Sequence, residues 1–198
     1  MSNDDRLKDV DRILEEVRQA MTWTEERRDI NELRALQMLL EVTKTIHNIR
    51  DTRELITFVL DSMVAFADGD RAFLIMMDDD GAMRYKMGRD AHHAYIPVEL
   101  FTPSSGVIEK TLEKGGAVVV PDAQSDESLK NNISIQQLQL RTVMCSPLMI
   151  KGEPIGLLYV DGKRAIGRYS RAHLNVVASL ADQAALAIHN AKKFETHT

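Results

Sequence analysis

The sequence predicts an α+β fold, in which an antiparallel sheet of about six strands separates two layers. Two segments rich in apolar residues flank the polar turn at Lys151-Gly152, an arrangement typical of a β-hairpin. A second pair of such segments flanks an acidic turn that ends at Gly81. Helical periodicity dominates both ends of the chain. We therefore expect terminal helices on one face of the sheet, and loops with short helices on the other.

Composition limits the classes of partner. The 198 residues are 44% hydrophobic, which suffices for one domain with an extension. The net charge of −5 and the lack of a Lys/Arg block argue against nucleic acid and against an anionic membrane surface. No apolar run approaches the roughly 20 residues that span a bilayer, and the acidic N-terminus does not resemble a secretory signal. We expect a cytoplasmic protein, and its one cysteine excludes an internal disulfide.

Residues 1–30 are predicted to form an amphipathic, coiled-coil-like helix. Its apolar side chains recur at spacings of 3, 4, 3 and 4, and most of the remaining positions are charged. A helix with so narrow a stripe is marginal alone in water, so it needs another helix. Self-association is the favoured interpretation, and docking on its own domain is the alternative. The stripe consists of Leu7, Val10, Leu14, Val17 and Met21.

A second helical pattern, a third helix and a hairpin follow. Apolar spacing resumes at Ile30 and ends near residue 50. Asp51 is then a suitable N-cap for a helix over Thr52–Ala67, with Glu54 as its capping partner. Three consecutive Asp residues do not match the alternate ligand positions of an EF-hand loop, so we interpret them as a solvated turn. The strands on either side of this turn are predicted at Arg71–Met77 and Ala82–Met87.

The middle of the chain alternates irregular segments with short elements. Residues 88–103 and 121–140 lack regular periodicity, which is typical of binding loops in a compact domain. Gly115-Gly116 is expected to end a helix that is capped near Ser105. The predicted elements are a short strand at Val98–Phe101, a helix at Val107–Lys114, a strand at Ala117–Val120, a short helix at Ile133–Leu140 and a final helix from Ser170 to about Phe194.

The segment Arg141–Asp161, RTVMCSPLMIKGEPIGLLYVD, carries the clearest family resemblance. Its hairpin pattern, followed by an Ala-rich helix, resembles the C-terminal half of a GAF domain, a small-molecule-binding signalling module. The resemblance covers roughly Leu33 to Phe194. It implies a GAF/PAS-like fold over residues 31–194, with residues 195–198 as a tail, and it agrees with the layers expected from periodicity.

In GAF domains a ligand, when there is one, lies between the sheet and the loops and short helices on its second face. The resemblance implies which residues wall such a pocket here, and a register error of one residue would exchange the two faces. The helix capped at Ser105 also presents free N–H groups, which favour an anion; an ordinary cap without a ligand is the alternative. The implied pocket residues are Phe73, Ile75, Ser105, Val107, Asp122, Ile133, Leu138, Val143 and Cys145.

No cofactor follows from the motifs. The cyclic-nucleotide-binding members carry a spaced Asn-Lys, Phe and Asp-Glu pattern, and of this we can place only an Asp-Glu pair, Asp126-Glu127. His92 and His93 are adjacent and point apart, so they do not share one metal, and an exposed loop is favoured over a haem ligand. The cofactor is therefore unknown, and no metal, haem or bilin motif is supported.

Cys145 has four interpretations. A bilin anchor would usually be followed by His, but Ser146 follows here. The methionine-sulfoxide-reducing GAF enzymes use additional cysteines, which this sequence lacks. A redox sensor would need exposure and a lowered pKa. A buried core residue on a central strand needs nothing further, and this interpretation is favoured.

The final helix carries two apolar lines, one of which can face the sheet while another faces a partner. The alternative is a core helix with small residues where the sheet comes near. Together with the N-terminal stripe, these lines suggest a parallel bundle across a homodimer, which the GAF resemblance also implies. The expected dimer residues are Leu7, Val10, Leu14, Val17, Leu33, Leu40, Ala181, Ala184 and Ile188.

The predicted function is regulatory. None of the motifs GxGxxG, GxxxxGK[ST], HExxH or GxSxG occurs, so no enzyme is expected. The resemblance implies a sensory module of a bacterial signal-transduction protein, which binds a small ligand and signals through homodimer helices to a downstream domain or protein. A structural dimerisation module without a ligand is one alternative, and a GAF-type methionine sulfoxide reductase is another.

Overall fold

A computed structural model describes residues 51–78, 80–165 and 171–195, together with Gln37, Leu40, Lys44, Thr45 and Ile49. In the last of these ranges, side chains are described for residues 173–190. The predicted helix of residues 1–30 lies outside the described residues. So do five of the expected dimer residues, which are Leu7, Val10, Leu14, Val17 and Leu33.

Four helices and five strands lie within the described residues. The helices are α1 (Thr52–Ala67), α2 (Ser105–Lys114), α3 (Ile133–Leu138) and α4 (Arg171–Glu195). The strands are β1 (Arg71–Met77), β2 (Met83–Asp90), β3 (Val118–Val120), β4 (Thr142–Ile150) and β5 (Glu153–Gly162). They form one antiparallel sheet in the order β2-β1-β5-β4-β3. The predicted α+β class is confirmed, with five strands where about six were expected.

The strand predicted at Val98–Phe101 is instead a single 3-10 turn over Val98–Leu100. In this turn the N–H of Leu100 donates to the carbonyl of Pro97 at 3.0 Å. Pro97 favours a turn at this point because its ring restricts φ. The side chains of Val98 and Leu100 are 55% and 59% exposed, so the segment lacks the buried face that stabilises a strand.

Helix α1 has the predicted bounds because local groups satisfy both of its ends. At the start, a carboxylate oxygen of Asp51 accepts a hydrogen bond from the N–H of Glu54 at 2.8 Å. At the end, Asp68 adopts the left-handed conformation with φ of 45°, and its N–H donates to the carbonyl of Val64. The polar turn between β4 and β5 is also confirmed, with φ of 52° at Lys151 and 87° at Gly152.

Two other elements differ from the prediction at their ends. Strand β2 continues to Asp90, beyond the predicted Met87, because the chain folds back on it: the N–H of Ile96 donates to the carbonyl of Gly88 at 3.0 Å. Helix α3 ends at Leu138 instead of Leu140, because Gln139 adopts a left-handed conformation with φ of 53°.

The sheet has two differently covered faces, since successive strand residues point to opposite sides. On the helix face, α1 and α4 pack against one cluster of buried side chains. On the cover face, a second cluster lies beneath the cover, which we define as residues 91–114 and 121–140. The central strands contribute Ala72, Leu74, Met76, Met144, Leu148, Leu158 and Val160 to the helix face, and Phe73, Ile75, Val143, Cys145, Leu157 and Tyr159 to the cover face.

Three of the expected dimer residues on α4 are core residues of one chain. Ala181, Ala184 and Ile188 are 0%, 1% and 6% exposed and belong to the helix-face cluster. The apolar line that suggested a partner is therefore already used against the sheet and α1, which leaves these side chains almost no surface for a second copy. Larger apolar side chains that remain exposed on this side of the sheet are Leu40, ahead of α1, and Leu186 of α4, at 62% and 52%.

Gly156 on β5 marks the closest approach of two strands. A Cβ atom at this position would overlap the carbonyl oxygen of Ile75 and would stand 3.2 Å from the Cα of Met76. We expect Gly156→Ala to lower the free energy of unfolding by about 1–3 kcal/mol, the usual cost of overpacking a core. Urea unfolding followed by circular dichroism measures this. Gly116→Ala is the matched control, because a Cβ there meets nothing within 4 Å; equal midpoints for the two variants would contradict the prediction.

Candidate functional site

The cover face presents three rows of side chains, because paired strands place opposite residues side by side. The first row is partly charged, the second is largely aromatic and the third is apolar. From one end of the sheet to the other, the rows are Arg71–Asp161–Val143, Phe73–Tyr159–Cys145 and Ile75–Leu157–Pro147.

The strand register assumed for the pocket is confirmed. Phe73, Ile75, Val143 and Cys145 all lie on the cover face, with Val107 of α2 packed over them, and all five are 0% exposed. The structure thus brings together most of the apolar residues that the sequence placed in a pocket. Their contact with a ligand stays a prediction.

The remaining predicted pocket residues lie at the edge of this cluster or outside it. Ile133 is 72% exposed, and in the short helix α3 the buried position is taken by Ile135, so contact of Ile133 with a ligand stays a prediction. Leu138 is half-buried and packs against the cover-face cluster. Ser105 is exposed at the first turn of α2.

Asp122 is held in an ion pair at the rim of the cover. Its two carboxylate oxygens each accept a hydrogen bond from the guanidinium of Arg141 at 2.6 Å. This partner lowers the pKa of Asp122. The pair fastens the irregular segment after β3 to the start of β4, so a structural role accounts for Asp122 without a ligand.

Aromatic rings fill the middle of the cover face. The ring of Phe73 lies edge-on to that of Phe101 with centroids 5.3 Å apart, and its centroid is 6.1 Å from that of Tyr159. Glycine at position 88 makes room for this ring, because a Cβ there would come within 2.7 Å of Phe73 Cδ1. The cover therefore closes on a floor of packed rings.

A buried polar network runs across the first two rows. The guanidinium of Arg71 donates from Nε and Nη2 to the carboxylate of Asp161 at 3.0 and 2.6 Å. The hydroxyl of Tyr159 donates to the same carboxylate at 3.2 Å and accepts from the N–H of Ser104 at 3.0 Å. The network thus links the sheet to the residue that precedes α2.

Burial governs the acid–base behaviour of this network. It raises the pKa of Asp161, and the neighbouring Arg71 offsets part of that effect. Burial, together with the nearby Asp161 charge, raises the pKa of Tyr159 well above its ordinary value. The phenol therefore stays protonated and remains a donor at neutral pH, while Asp161 depends on Arg71 to hold its charge.

Ser104 is the exceptional polar group of the cover face. It is 0% exposed, and its Oγ finds no hydrogen-bond partner among the described residues. It is the N-cap of α2, yet its side chain makes no capping bond. Leaving a buried hydroxyl unpaired costs about 1–3 kcal/mol, so such a group calls for an explanation.

The space beside α2 is small. An apolar cleft of about 180 Å³ lies where Phe101 and Ser105 face Ile75 and Met83. Pockets for drug-sized ligands usually measure about 300–1,000 Å³. A larger cavity of about 390 Å³ lies by the helix-face core, bordered by Thr52, Ile56, Leu74 and Ile188. The cleft beside α2 therefore accepts only a small apolar group in this conformation.

Cys145 is fully buried, which confirms the favoured interpretation of this residue. Burial raises the pKa of its thiol to about 12. A thiolate is the reactive form of cysteine, and at neutral pH it is essentially unpopulated here. The side chain thus acts as a small apolar core residue beneath α2.

In the part of the chain that the structure describes, no group of three or more His, Cys, Asp and Glu side chains is arranged to hold a metal ion. No helix in the same part combines the length and hydropathy needed to cross a membrane. His92 and His93 are both exposed, and His93 Nδ1 lies 3.1 Å from a carboxylate oxygen of Asp61.

Sequence reasoning missed the polar half of the site. Arg71, Asp161 and Tyr159 were visible only as members of strand segments, and Ser104 only as part of a cap. A signal for Tyr159 and Asp161 did exist, because a period of two from Leu157 places both on one face. No local pattern joins Arg71 to Asp161, which lie 90 positions apart.

The Arg71–Asp161 pair predicts a pH-dependent stability. Without Arg71 the pKa of Asp161 rises further, so the buried carboxylate is penalised above that pKa and is neutral below it. We expect Arg71→Met to cost about 3 kcal/mol at pH 7, and clearly less near pH 4. Urea unfolding across this range measures it. The double variant Arg71→Met/Asp161→Asn should not show this excess pH dependence of the free energy of unfolding. If Arg71→Met lowers the free energy of unfolding equally at pH 7 and pH 4, the explanation is refuted.

The burial of Cys145 predicts slow thiol chemistry. A thiol with a pKa of about 12 in a closed core should react with 5,5′-dithiobis(2-nitrobenzoate) only as fast as the fold opens. Absorbance at neutral pH should show little release in the native protein and one equivalent in guanidinium chloride. Full reaction of the native protein within the mixing time would show an accessible thiol.

Comparisons with known proteins identify the family. The model of the GAF domain family matches residues 49–189. A probable 3′,5′-cyclic phosphodiesterase of Caenorhabditis elegans is 26% identical over 169 residues, which are 79% of this chain and 23% of that protein. The chain thus spans less than a quarter of that relative.

Solved structures share the fold at low identity. The GAF domain of a phosphoenolpyruvate-protein phosphotransferase from Coxiella burnetii has a TM-score of 0.64 at 15% identity, over 84% of this chain and 99% of that one. Free methionine-R-sulfoxide reductase from Neisseria meningitidis, in complex with its substrate, has a TM-score of 0.61 at 16% identity, over 80% and 90%. With the family model matching most of its length and GAF domains among its structural neighbours, the chain belongs to the GAF domain family.

Proposed function

We propose that this chain is a regulatory domain that binds a small ligand between the cover and the sheet. The observation that carries the proposal is the Oγ of Ser104, which is buried and unpartnered among the described residues, at the start of α2. A native fold retains such a group at a cost, and a ligand acceptor would remove that cost. The N-cap position, directly before the free N–H groups of α2, is a suitable place for such a donor.

The ligand is expected to carry an acceptor group, such as a carboxylate, a phosphate or a carbonyl. The first N–H groups of a helix have no intrahelical partners, and the helix dipole favours negative charge there. The side chain of Asn132 lies against the same turn, since a Cβ on Gly106 would come within 2.8 Å of its Nδ2. Asn132 Oδ1 already accepts from the N–H and Oγ of Ser134, which leaves its NH₂ group as a donor beside α2.

Binding requires the cover to move. The cleft of about 180 Å³ is too small for a nucleotide, and Phe73 and Tyr159 of the cover face are fully buried. A ligand of ordinary size would therefore stabilise a different packing of the cover. Such a ligand shifts the population toward the conformation that it binds best, which is the physical basis of a sensor.

The signal is proposed to leave through helices in a homodimer. Leu40 is 62% exposed ahead of α1, and the narrow apolar stripe of residues 7–21 favours a helical partner. A downstream domain or protein would read the arrangement of these helices. The chain is proposed to act without thiol catalysis, since burial raises the pKa of its single cysteine to about 12.

A structural dimerisation domain without a ligand is the second candidate. One observation favours it: Phe73, Tyr159, Leu129 and Ile135 already fill the cover face, with exposures of 2% or less. In this case Ser104 would be a tolerated defect of the core. Sulfoxide reduction is less well supported, because the chemistry needs a reactive thiolate and Cys145 does not supply one.

Native mass spectrometry of the purified protein separates the two leading candidates. A retained small molecule at one per chain would support the sensor. A bare mass, together with no thermal shift on adding cyclic AMP, cyclic GMP, AMP, GMP or citrate at millimolar concentration, would favour the structural domain. The same spectra report whether the protein is a dimer.

Ser104→Ala separates binding from stability. Removing an unpartnered buried hydroxyl should leave the free energy of unfolding unchanged or raise it by up to about 1 kcal/mol. The same substitution should weaken the binding of any compound that gives a thermal shift, raising its Kd by about tenfold, as measured by calorimetry. Ser62→Ala, a buried serine of α1 on the other face, is the matched control and should not affect binding. A clear loss of stability in Ser104→Ala would mean that the hydroxyl is already satisfied.

A further inference from the structure

Residues 91–97, which we name the strap, pass around the outer edge of the sheet. Strand β2 is the edge strand, and the strap continues directly from its end. The carboxylate of Asp90 accepts from the N–H groups of His92 and Ala94 at 2.9 and 2.8 Å, which folds the chain back on β2. Tyr95 then pairs with Arg89 in an isolated antiparallel bridge.

Adjacent residues of the strap contact opposite faces of the sheet. Ile96 is 7% exposed and belongs to the cover-face cluster, where its backbone carbonyl accepts a hydrogen bond from the hydroxyl of Tyr85. Tyr95 points the other way, and its hydroxyl lies 3.2 Å from Oγ1 of Thr57 on α1. Successive residues of an extended chain point in opposite directions, so one short stretch of backbone connects a contact on the helix face with a contact on the cover face.

Charged groups fix Tyr95 against the helix face. The guanidinium carbon of Arg89 lies 4.5 Å from the centroid of the Tyr95 ring, and that of Arg53 on α1 lies 5.3 Å away. Arg89 itself is bonded to both carboxylate oxygens of Asp61 on α1, at 2.8 and 3.0 Å. His93 approaches the same carboxylate at 3.1 Å. Three consecutive turns of α1 thus hold one loop of the cover.

We propose that the strap is the mechanical link by which a displacement of the cover moves α1. The inference rests on the proposed function only for its biological meaning, because the contacts exist without a ligand. At its inner end the strap continues through the Val98–Leu100 turn to Phe101, which packs on Phe73. On the other side of the sheet, Tyr95 contacts Arg53 and Thr57, and His93 contacts Asp61. Helix α1, which carries these three residues, packs on α4 within the helix-face cluster. A ligand that lifts Phe101 would therefore pull on α1 through Tyr95.

Hydrogen exchange with mass spectrometry tests the link without any ligand. Phe101→Leu loosens the cover, and in the otherwise unchanged chain it should speed amide exchange in residues 53–61 of α1 by at least about fivefold, the lower end of ordinary allosteric coupling. In a Tyr95→Ala background the same substitution should change α1 by less than about twofold and should still loosen the cover. Tyr95→Phe keeps the ring between its two arginines and should preserve most of the coupling.

One control variant and one substitute perturbation complete the experiment. Leu138→Ala loosens the cover at its other end, away from the strap, and should leave exchange in α1 unchanged. Ile108→Val replaces Phe101→Leu as the perturbation if the latter does not fold. Equal changes in α1 with and without the Tyr95 side chain would overturn the proposal, as would no change in either background. Because no ligand enters the experiment, failure to find one by native mass spectrometry leaves this result unaffected.

Discussion

The register between β1 and β5 is the constraint on which the rest of the structure depends. It sets Arg71 opposite Asp161 and Phe73 opposite Tyr159, and thereby determines what each face of the sheet offers. A slip of one residue would exchange the two faces along the whole strand. A charged pair would then meet the apolar side of α1 and α4, and the rings would lie among the helices. The ion pair and the rings therefore specify the same register by two different kinds of interaction.

Features that depend on neighbouring residues were predictable from the sequence. Asp51 and Glu54 specify the start of α1, and Lys151-Gly152 specifies the hairpin turn. Each feature depends only on interactions between residues a few positions apart. The cover-face residues Phe73 and Cys145 followed from a period of two combined with a family resemblance. The role of an apolar line such as that through Ala181 needs tertiary knowledge, because the line looks the same in sequence whether it packs on its own sheet or on a second helix. The polar half of the site was predictable only in part: a period of two places Tyr159 and Asp161 on one face, but no local pattern joins Asp161 to Arg71, 90 positions away.

The cover face combines two opposing demands. Its rings and its buried thiol pack as tightly as an ordinary core, which stabilises the closed conformation. Its polar network instead carries groups that are expensive to bury, with Ser104 left unsatisfied among the described residues. A domain that only had to hold two helices together would gain by replacing these groups with apolar ones. Their presence beside α2 is therefore easier to understand in a domain whose core opens during its working cycle.

The bridge between Arg89 and Tyr95 has a consequence for how copies of this chain can assemble. Lateral strands with a long row of unpaired amides recruit further strands and lead to fibrous aggregates. In the described sheet one edge is strand β3, which has only three residues. The other edge, strand β2, is partly paired with the strap. Growth by strand addition is thus disfavoured at both edges. An ordered oligomer of this domain is therefore not expected to form by pairing of its sheet edges.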